Sequence, residues 1–424
     1  MSQTPTRPRI YYFCLVNTQR YNQIAGDGSY VGAASNKVSA LSAALRQRGQ
    51  RSCVVSMPLC GRGAAPPASA TLLRDNGLPW LFLRSHRSRW RRKFSALAQF
   101  AWFSLWVVDR HDRVILYNHG FEYLLALFVL RLRGVVTVLD IEDAPRLDEP
   151  GLRPAVDRLM FPAFLKLTSA RKIVASRGVG EGLKLREFTP VYGAINAPTR
   201  RPEPRATWTD VGMTAANPLR IWYGGTIERD TGLDLFCEVL PLLGERLAEA
   251  GRYVVFEVTG RGGEAAIAAA QAAACDNLKV EQRQDLDRPS FLAVLRACHV
   301  GLSLRITDSS LAQSTFPSKV VEITQHGLAL IATPSADLLH IYGSDGAVIL
   351  GDCAPHSLAE AIMLALHDTS ALQEMAQAGF DRSLDQFEAG RVADRLVLSL
   401  GLKVRDLRTA PDPASAETCP TAPR

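Results

Sequence analysis

The sequence predicts an α/β protein made of two tandem parallel-sheet units. Three observations point there. Short apolar strands alternate with amphipathic helices along both halves of the chain, a pattern that calls for a parallel sheet covered on both faces. The alternation restarts after "NAPTRRPEP" (196–204), a Pro/Arg-rich stretch of the kind that joins domains. And 424 residues exceed what a single hydrophobic core comfortably serves.

In the first half, "RIYYFCLV" (9–16) reads as a buried strand. A loop with Gly26, Gly28 and Gly32 then leads into a helix over 35–49. Strands follow at 52–57, 80–84 and 113–118, and the helix over 122–134 feeds the strand "VVTVLDI" (135–141). The second half opens with the strand "LRIWYGG" (219–225) and a helix over 233–247. It continues with a strand at 253–260, helices at 264–274 and 291–298, and a strand at 300–304. A short helix (317–326), a strand (328–333) and helices over 358–366 and 371–400 complete it. By composition, 403–424 is a disordered tail.

Charge separates the halves. Residues 1–200 hold 29 Lys and Arg against 13 Asp and Glu, whereas 201–424 hold 20 against 29. A basic first half suggests an anionic partner such as a phosphorylated substrate or lipid head groups. Nucleic acid is not expected, because no recognised binding module accompanies the charge. The eight cysteines show no metal-like spacing and imply a reduced, cytoplasmic setting. The N-terminal residues lack the apolar core of a signal peptide.

One interval departs from the plain pattern. "HRSRWRRKFSALAQFAWFSLWVV" (86–108) sets Arg89, Arg91, Arg92 and Lys93 ahead of 15 nearly all-apolar residues. That is short of the roughly 20 residues needed to span a bilayer. Two readings stand: a helix buried in the first unit, or an interfacial element at the inner face of the plasma membrane with its cations at head-group level.

In open parallel sheets ligands bind beyond the carboxyl ends of the strands, so the loops there carry the candidate site. Four such loops lie in the second half: 223–232 with Gly225 and Arg229, 259–264 with Arg261, 304–310 with Arg305, and 314–319. Helix N-termini in these loops suit a diphosphate. Pro317 suits a first helical turn, where Ser318 and Lys319 present backbone N–H groups. Glu322 follows Ser318 by four residues, on the same helix face, among apolar neighbours. A carboxylate there needs hydrogen-bond donors, either a vicinal diol such as a ribose or a basic or backbone group of the protein itself.

"STFPSKVVEITQHGLALIAT" (314–333), between two strands, resembles the nucleotide-sugar signature of retaining GT-B glycosyltransferases of the family 4 type, as do "IWYGGTIERDTGLDLF", "VVFEVTGRGG" and "FLAVLRACHVGLSLR" in order and spacing. The resemblance implies two Rossmann-like domains facing across a cleft: an acceptor domain (1–198), a donor domain (208–379), and a helix (380–402) crossing back to the first. It further implies that Glu322 holds the ribose hydroxyls and the 317–319 backbone cradles the diphosphate. His119, in "LYNHG", matches the active-site histidine near the transferred sugar, and Gly26, Gly28 and Gly32 the acceptor-side loop facing the diphosphate. The family's first Glu is Ser314 here, and its usual loop Arg and Lys fall at or beside Thr226 and Thr231. Arg229, Arg261, Arg305 and Lys319 are the cations available instead, with Arg229 and Arg305 favoured by loop position.

The expected activity is metal- and cofactor-independent retaining transfer of a sugar from a nucleotide-diphosphate sugar, itself a substrate, to a saccharide or lipid-linked acceptor in bacterial surface polysaccharide assembly. Asp140, Glu142 and Asp143 in "LDIEDAP" are read either as acceptor-binding or as helix-capping acids. The alternatives are a catalytically silent nucleotide-sugar-binding homologue or scaffold and, less favoured, a nucleotide-sugar 2-epimerase.

Overall fold

The computed structural model describes residues 8–26, 32–61, 65–142, 151–195, 208–306 and 316–404. The chain divides into two compact units, Met1–Ala197 with Glu388–Arg424, and Pro198–Phe387. The first begins with β1 (Arg9–Cys14), α1 (Gln19–Ala25), α2 (Gly32–Gln47) and β2 (Arg51–Ser56). Then come β3 (Thr71–Asp75), β4 (Leu78–Phe82), α3 (Arg89–Trp106), β5 (Arg113–Tyr117) and α4 (Leu124–Leu132). β6 (Val136–Ile141), α5 (Leu152–Leu167), β7 (Lys172–Val174), α6 (Arg177–Gly182) and β8 (Phe188–Pro190) follow.

The second unit runs through β9 (Leu219–Thr226), α7 (Leu233–Ala250), β10 (Val254–Arg261), α8 (Glu264–Ala272) and β11 (Leu278–Arg283). It continues with α9 (Arg288–Ala297), β12 (Val300–Ser303), α10 (Lys319–Gln325), β13 (Ala329–Ala332) and α11 (Ala336–Tyr342). β14 (Val348–Ile349), α12 (Pro355–His367) and α13 (Thr369–Phe387) close it. The last helix, α14 (Ala389–Ser399), belongs to the first unit.

The first sheet has the order β3-β4-β2-β1-β5-β6-β7-β8, and all its pairs are parallel except β3 with β4. That exception was not expected from the sequence. It is a hairpin closed by Asn76 and Gly77, both at positive φ, as a tight two-residue turn requires. The second sheet has the order β11-β10-β9-β12-β13-β14 and is wholly parallel.

Strand side chains point alternately to the two faces, so each strand of the first sheet feeds two cores. Tyr11 and Phe13 of β1 pack with Phe100 and Phe103 of α3, Leu127 of α4 and Phe164 of α5. Ile10, Tyr12 and Cys14 pack on the other side with Val38 and Leu41 of α2 and with Val392, Leu396 and Val397 of α14. A helix over 371–400 was expected, but it breaks at Glu388. The Glu388 carboxylate accepts the N–H groups of Gly390 (2.8 Å) and Arg391 (2.9 Å), ending one helix and capping the next. Arg48, just after α2, then binds Asp394 at 2.6 Å, and Arg113 donates to the Leu400 carbonyl at 3.0 Å. Among the described residues, no helix is long and apolar enough to cross a membrane.

If α14 is integral to the first core, truncating it from within should loosen that whole unit. Leu396 is fully buried, so Leu396→Ala should lower unfolding stability by about 2–5 kcal/mol in urea titrations. A change within error would show that α14 is peripheral.

Candidate functional site

In a parallel sheet whose strand order reverses beside the first strand, the crossovers leave in opposite directions and open a crevice at the carboxyl ends. The first unit reverses between β1 and β5, and a pocket of about 200 Å³ lies there. It is lined by Val16 and Asn17 after β1, by Ala34 of α2, and by Asn118, His119 and Gly120 after β5. Asn118 adopts a left-handed conformation (φ 60°), which asparagine tolerates better than most residues. Its N–H donates to the Asp140 carbonyl at 2.7 Å, and its side-chain oxygen accepts from Glu142 N at 2.7 Å. Held at both ends, this turn places His119 at the pocket wall. The imidazole lies edge-on to Phe161 at 5.0 Å between centroids, with Nε2 3.3 Å from an Asp157 carboxylate oxygen. The acid fixes the ring's orientation and favours a proton on Nε2.

Behind the pocket is a buried charge cluster. Lys37 of α2 reaches Asp140 at 3.4 Å and is also bonded to Glu142, while the Tyr12 hydroxyl donates to Asp140. Burial opposes the charge on Lys37, but Asp140 and Glu142 outweigh it and raise its pKa. Burial, followed by the Asp140 charge, drives the Tyr12 hydroxyl well above its usual range. Asp140 and Glu142, read from the sequence as acceptor-binding or helix-capping acids, are both paired with Lys37; Asp143 lies outside the described residues. Sequence reasoning missed both Lys37 and Asp157.

The second unit reverses between β9 and β12, where Gly225, Arg305 and Lys319 come together. The Lys319 side chain lies across Gly225: a β-carbon on that glycine (φ 96°) would stand 2.4 Å from Lys319 Cε. A side chain there would displace Lys319, and the positive φ favours glycine. The ammonium sits 5.7 Å from the Tyr223 ring centroid, and no carboxylate among the described residues lies within 4 Å of it. Burial, reinforced by the neighbouring Arg305 charge and partly offset by Glu322, lowers the Lys319 pKa to about 8. Burial likewise lowers the pKa of half-buried Arg305, with the Asp230 charge opposing it.

Glu322 lies one turn further along α10, half-buried. Burial raises its pKa, against the charges of Arg288 and Lys319. Among the described residues no hydrogen bond or ion pair takes up its carboxylate; its backbone carbonyl meets His326 Nδ1 at 2.8 Å. Ser318 occupies the N-cap position and Pro317 is buried just before it. Val320 N and Val321 N close the first turn on the Pro317 and Ser318 carbonyls.

The remaining candidates fall elsewhere. Arg229 pairs with Asp234 at 2.7 Å and Arg261 with Asp285 at 2.7 Å, both arginines more than 80% exposed (86% and 84%). The structure therefore groups Arg305 with Lys319 and sets Arg229 and Arg261 in solvent-facing ion pairs. Thr231 closes its own loop, donating to the Thr226 carbonyl at 2.7 Å. Gly26 caps α1 at φ 61° and Gly32 opens α2, while Gly28 and Ser314 lie outside the described residues. Arg89, Arg91, Arg92 and Lys93 form the first turn of α3, with Arg92 donating to the Cys60 carbonyl at 3.3 Å.

The architecture just described is the GT-B fold, and comparison with solved structures bears this out. TarM superimposes with a TM-score of 0.63 at 6% identity, over 94% of this chain and 100% of its own. Sucrose-phosphate synthase from Thermosynechococcus elongatus gives 0.63 at 15% identity, over 92% and 98%. Anabaena HepE, solved in complex with UDP, gives 0.60 at 10% identity, over 93% and 99%. No family model and no curated protein sequence matches the chain.

The buried cluster gives a direct stability test. Lys37→Met would leave Asp140 buried without its counter-charge and should cost about 3–5 kcal/mol in urea unfolding. The double variant Lys37→Met/Asp140→Asn should recover part of that loss, and equal losses in both would refute the pairing.

Proposed function

We propose that the chain is a glycosyltransferase that moves a sugar from a nucleoside-diphosphate sugar to a saccharide acceptor. The observation that carries this reading is the second switch point. Among the described residues, no ion pair takes up the Lys319 ammonium, and one helical turn on, no hydrogen bond or ion pair takes up the Glu322 carboxylate. A nucleoside diphosphate supplies both missing partners, phosphate oxygens for the cation and ribose hydroxyls for the acid. Anion binding would raise the Lys319 pKa again and hold the side chain charged.

In the reaction, the bond between the sugar's anomeric carbon and the diphosphate oxygen breaks. The acceptor hydroxyl oxygen forms the new bond, and its proton leaves with the diphosphate. Negative charge grows on the diphosphate, and Lys319 and Arg305, with the 317–319 turn, stabilise it electrostatically. Those two cations take the part of the residues that Thr226 and Thr231 replace, so the transfer needs no divalent ion. His119 is the catalytic side chain, positioned by Asp157. The resemblance at 314–333 to family 4 enzymes supports retention of configuration and an acceptor that is lipid-linked or carried at a membrane, in bacterial surface polysaccharide assembly.

The threonines at 226 and 231 also favour a second reading, a silent homologue that binds donor without turnover. Release of nucleoside diphosphate over a panel of UDP-, GDP- and ADP-sugars, with saccharide acceptors, separates the two. The transferase reading predicts turnover with at least one donor, a loss of about a hundredfold or more in His119→Ala, and little change in donor affinity there. Donor binding without turnover across the panel would establish the silent homologue instead.

A further inference from the structure

We propose that the outward face of the α3–α4–α5 layer is a docking surface for an anionic lipid bilayer. These helices cover one face of the first sheet, α3 packing on α4 and α4 on α5. Their inner stripes are buried, as Phe100 and Phe103 on α3 and Leu127 and Leu130 on α4 show. Their outer stripes are apolar as well. Trp102, Leu105 and Trp106 follow one another at helical spacing on α3, and Leu125, Phe128 and Leu132 do so on α4. Trp106 is 69% exposed and Leu132 72%. Of 17 large hydrophobic residues exposed among the described residues, ten lie on these three helices, so the exposure is concentrated rather than scattered.

The charges fit the same occupant. α3 and α4 carry five Lys and Arg (Arg89, Arg91, Arg92, Lys93 and Arg131) and no Asp or Glu. Trp90 and Phe94 stand exposed among the four cations at the start of α3. Aromatic side chains beside cations on a helix too short to span match an element lying in the head-group layer. The far end of α3 is prepared for such a setting: Arg133 donates to the carbonyls of Ser104 (2.6 Å) and Leu105 (2.7 Å), groups that water would otherwise have to satisfy. A second copy of the chain fits less well, because apposing two such faces brings like charges together with no acid on α3 or α4 to balance them.

The inference is independent of the transfer reading, since binding is measured without donor or acceptor. The full chain should co-sediment with vesicles of equimolar phosphatidylcholine and phosphatidylglycerol, weakly with phosphatidylcholine alone, and less as salt rises. Brominated acyl chains should quench part of the tryptophan emission, because Trp90, Trp102 and Trp106 are exposed whereas Trp80, Trp208 and Trp222 are buried. Arg89→Gln/Arg91→Gln/Arg92→Gln/Lys93→Gln should lower partitioning by about a hundredfold or more, at roughly a fivefold factor per cation. A second variant, Trp106→Gln/Phe128→Gln/Leu132→Gln, should bind vesicles more weakly and lose the Trp106 share of the quenching, with its thermal unfolding unchanged. Absence of vesicle binding by the wild type overturns the proposal. So does a dimer in light scattering that the second variant dissolves while vesicle binding persists undiminished.

Discussion

The parallel pairing of β1 with both β2 and β5, and of β9 with both β10 and β12, is the constraint behind the rest of the structure. A parallel neighbour can be reached only by a crossover, so each sheet is clad in helices on both faces. With helices on both faces, little backbone is left open except at the strand ends. Where the order reverses, adjacent loops diverge, and the residues just beyond β1, β5, β9 and β12 are left lining a crevice. Asn17, His119 and Arg305 follow β1, β5 and β12, and Gly225 lies near the end of β9. The close fit of Lys319 over Gly225 shows how little space this leaves for side chains.

The two units treat a buried lysine in opposite ways. Lys37 is met by two carboxylates, and its pKa is raised despite burial. Its role is satisfied inside the fold, where it ties α2 to the end of β6. For Lys319, burial and the Arg305 charge outweigh the Glu322 charge, and its pKa falls to about 8. A protein gains no stability from holding two cations together in a half-buried place. In the reading proposed above an anion joins the two cations, and Glu322, whose carboxylate has no hydrogen-bond or ion-pair partner among the described residues, meets its hydroxyl groups.

Much of this was legible in the sequence. Short apolar runs located β1, β2, β4, β5 and β6 of the first sheet and β9, β10, β12 and β13 of the second, though not β3, β7, β8, β11 or β14, and Glu322 stood out because an acid among valines and an isoleucine needs a reason. The hairpin strand at 71–75 went unread, although Asn76-Gly77 between two runs is a strong turn signal. Other features were not legible. Lys37 and Asp140 are 103 residues apart, and no local pattern joins them. The choice among four arginine and lysine candidates turned on acids supplied by other segments, Asp234 for Arg229 and Asp285 for Arg261. The helix break at Glu388 depends on a side chain folding back onto its own backbone. Local spacing reveals periodic burial, whereas charge pairing is settled by topology.

The central claim is that Lys319 binds the diphosphate of a nucleotide. Calorimetric titration with UDP across a pH series, in the wild type and in Lys319→Met, tests it most directly. Below pH about 8 the free ammonium is charged, and above it the charge is lost, so wild-type affinity should fall as pH rises through about 8. Lys319→Met should bind UDP about tenfold or more weakly at neutral pH and show a flat profile over the same range. Equal affinity and the same pH dependence in both proteins would contradict the assignment.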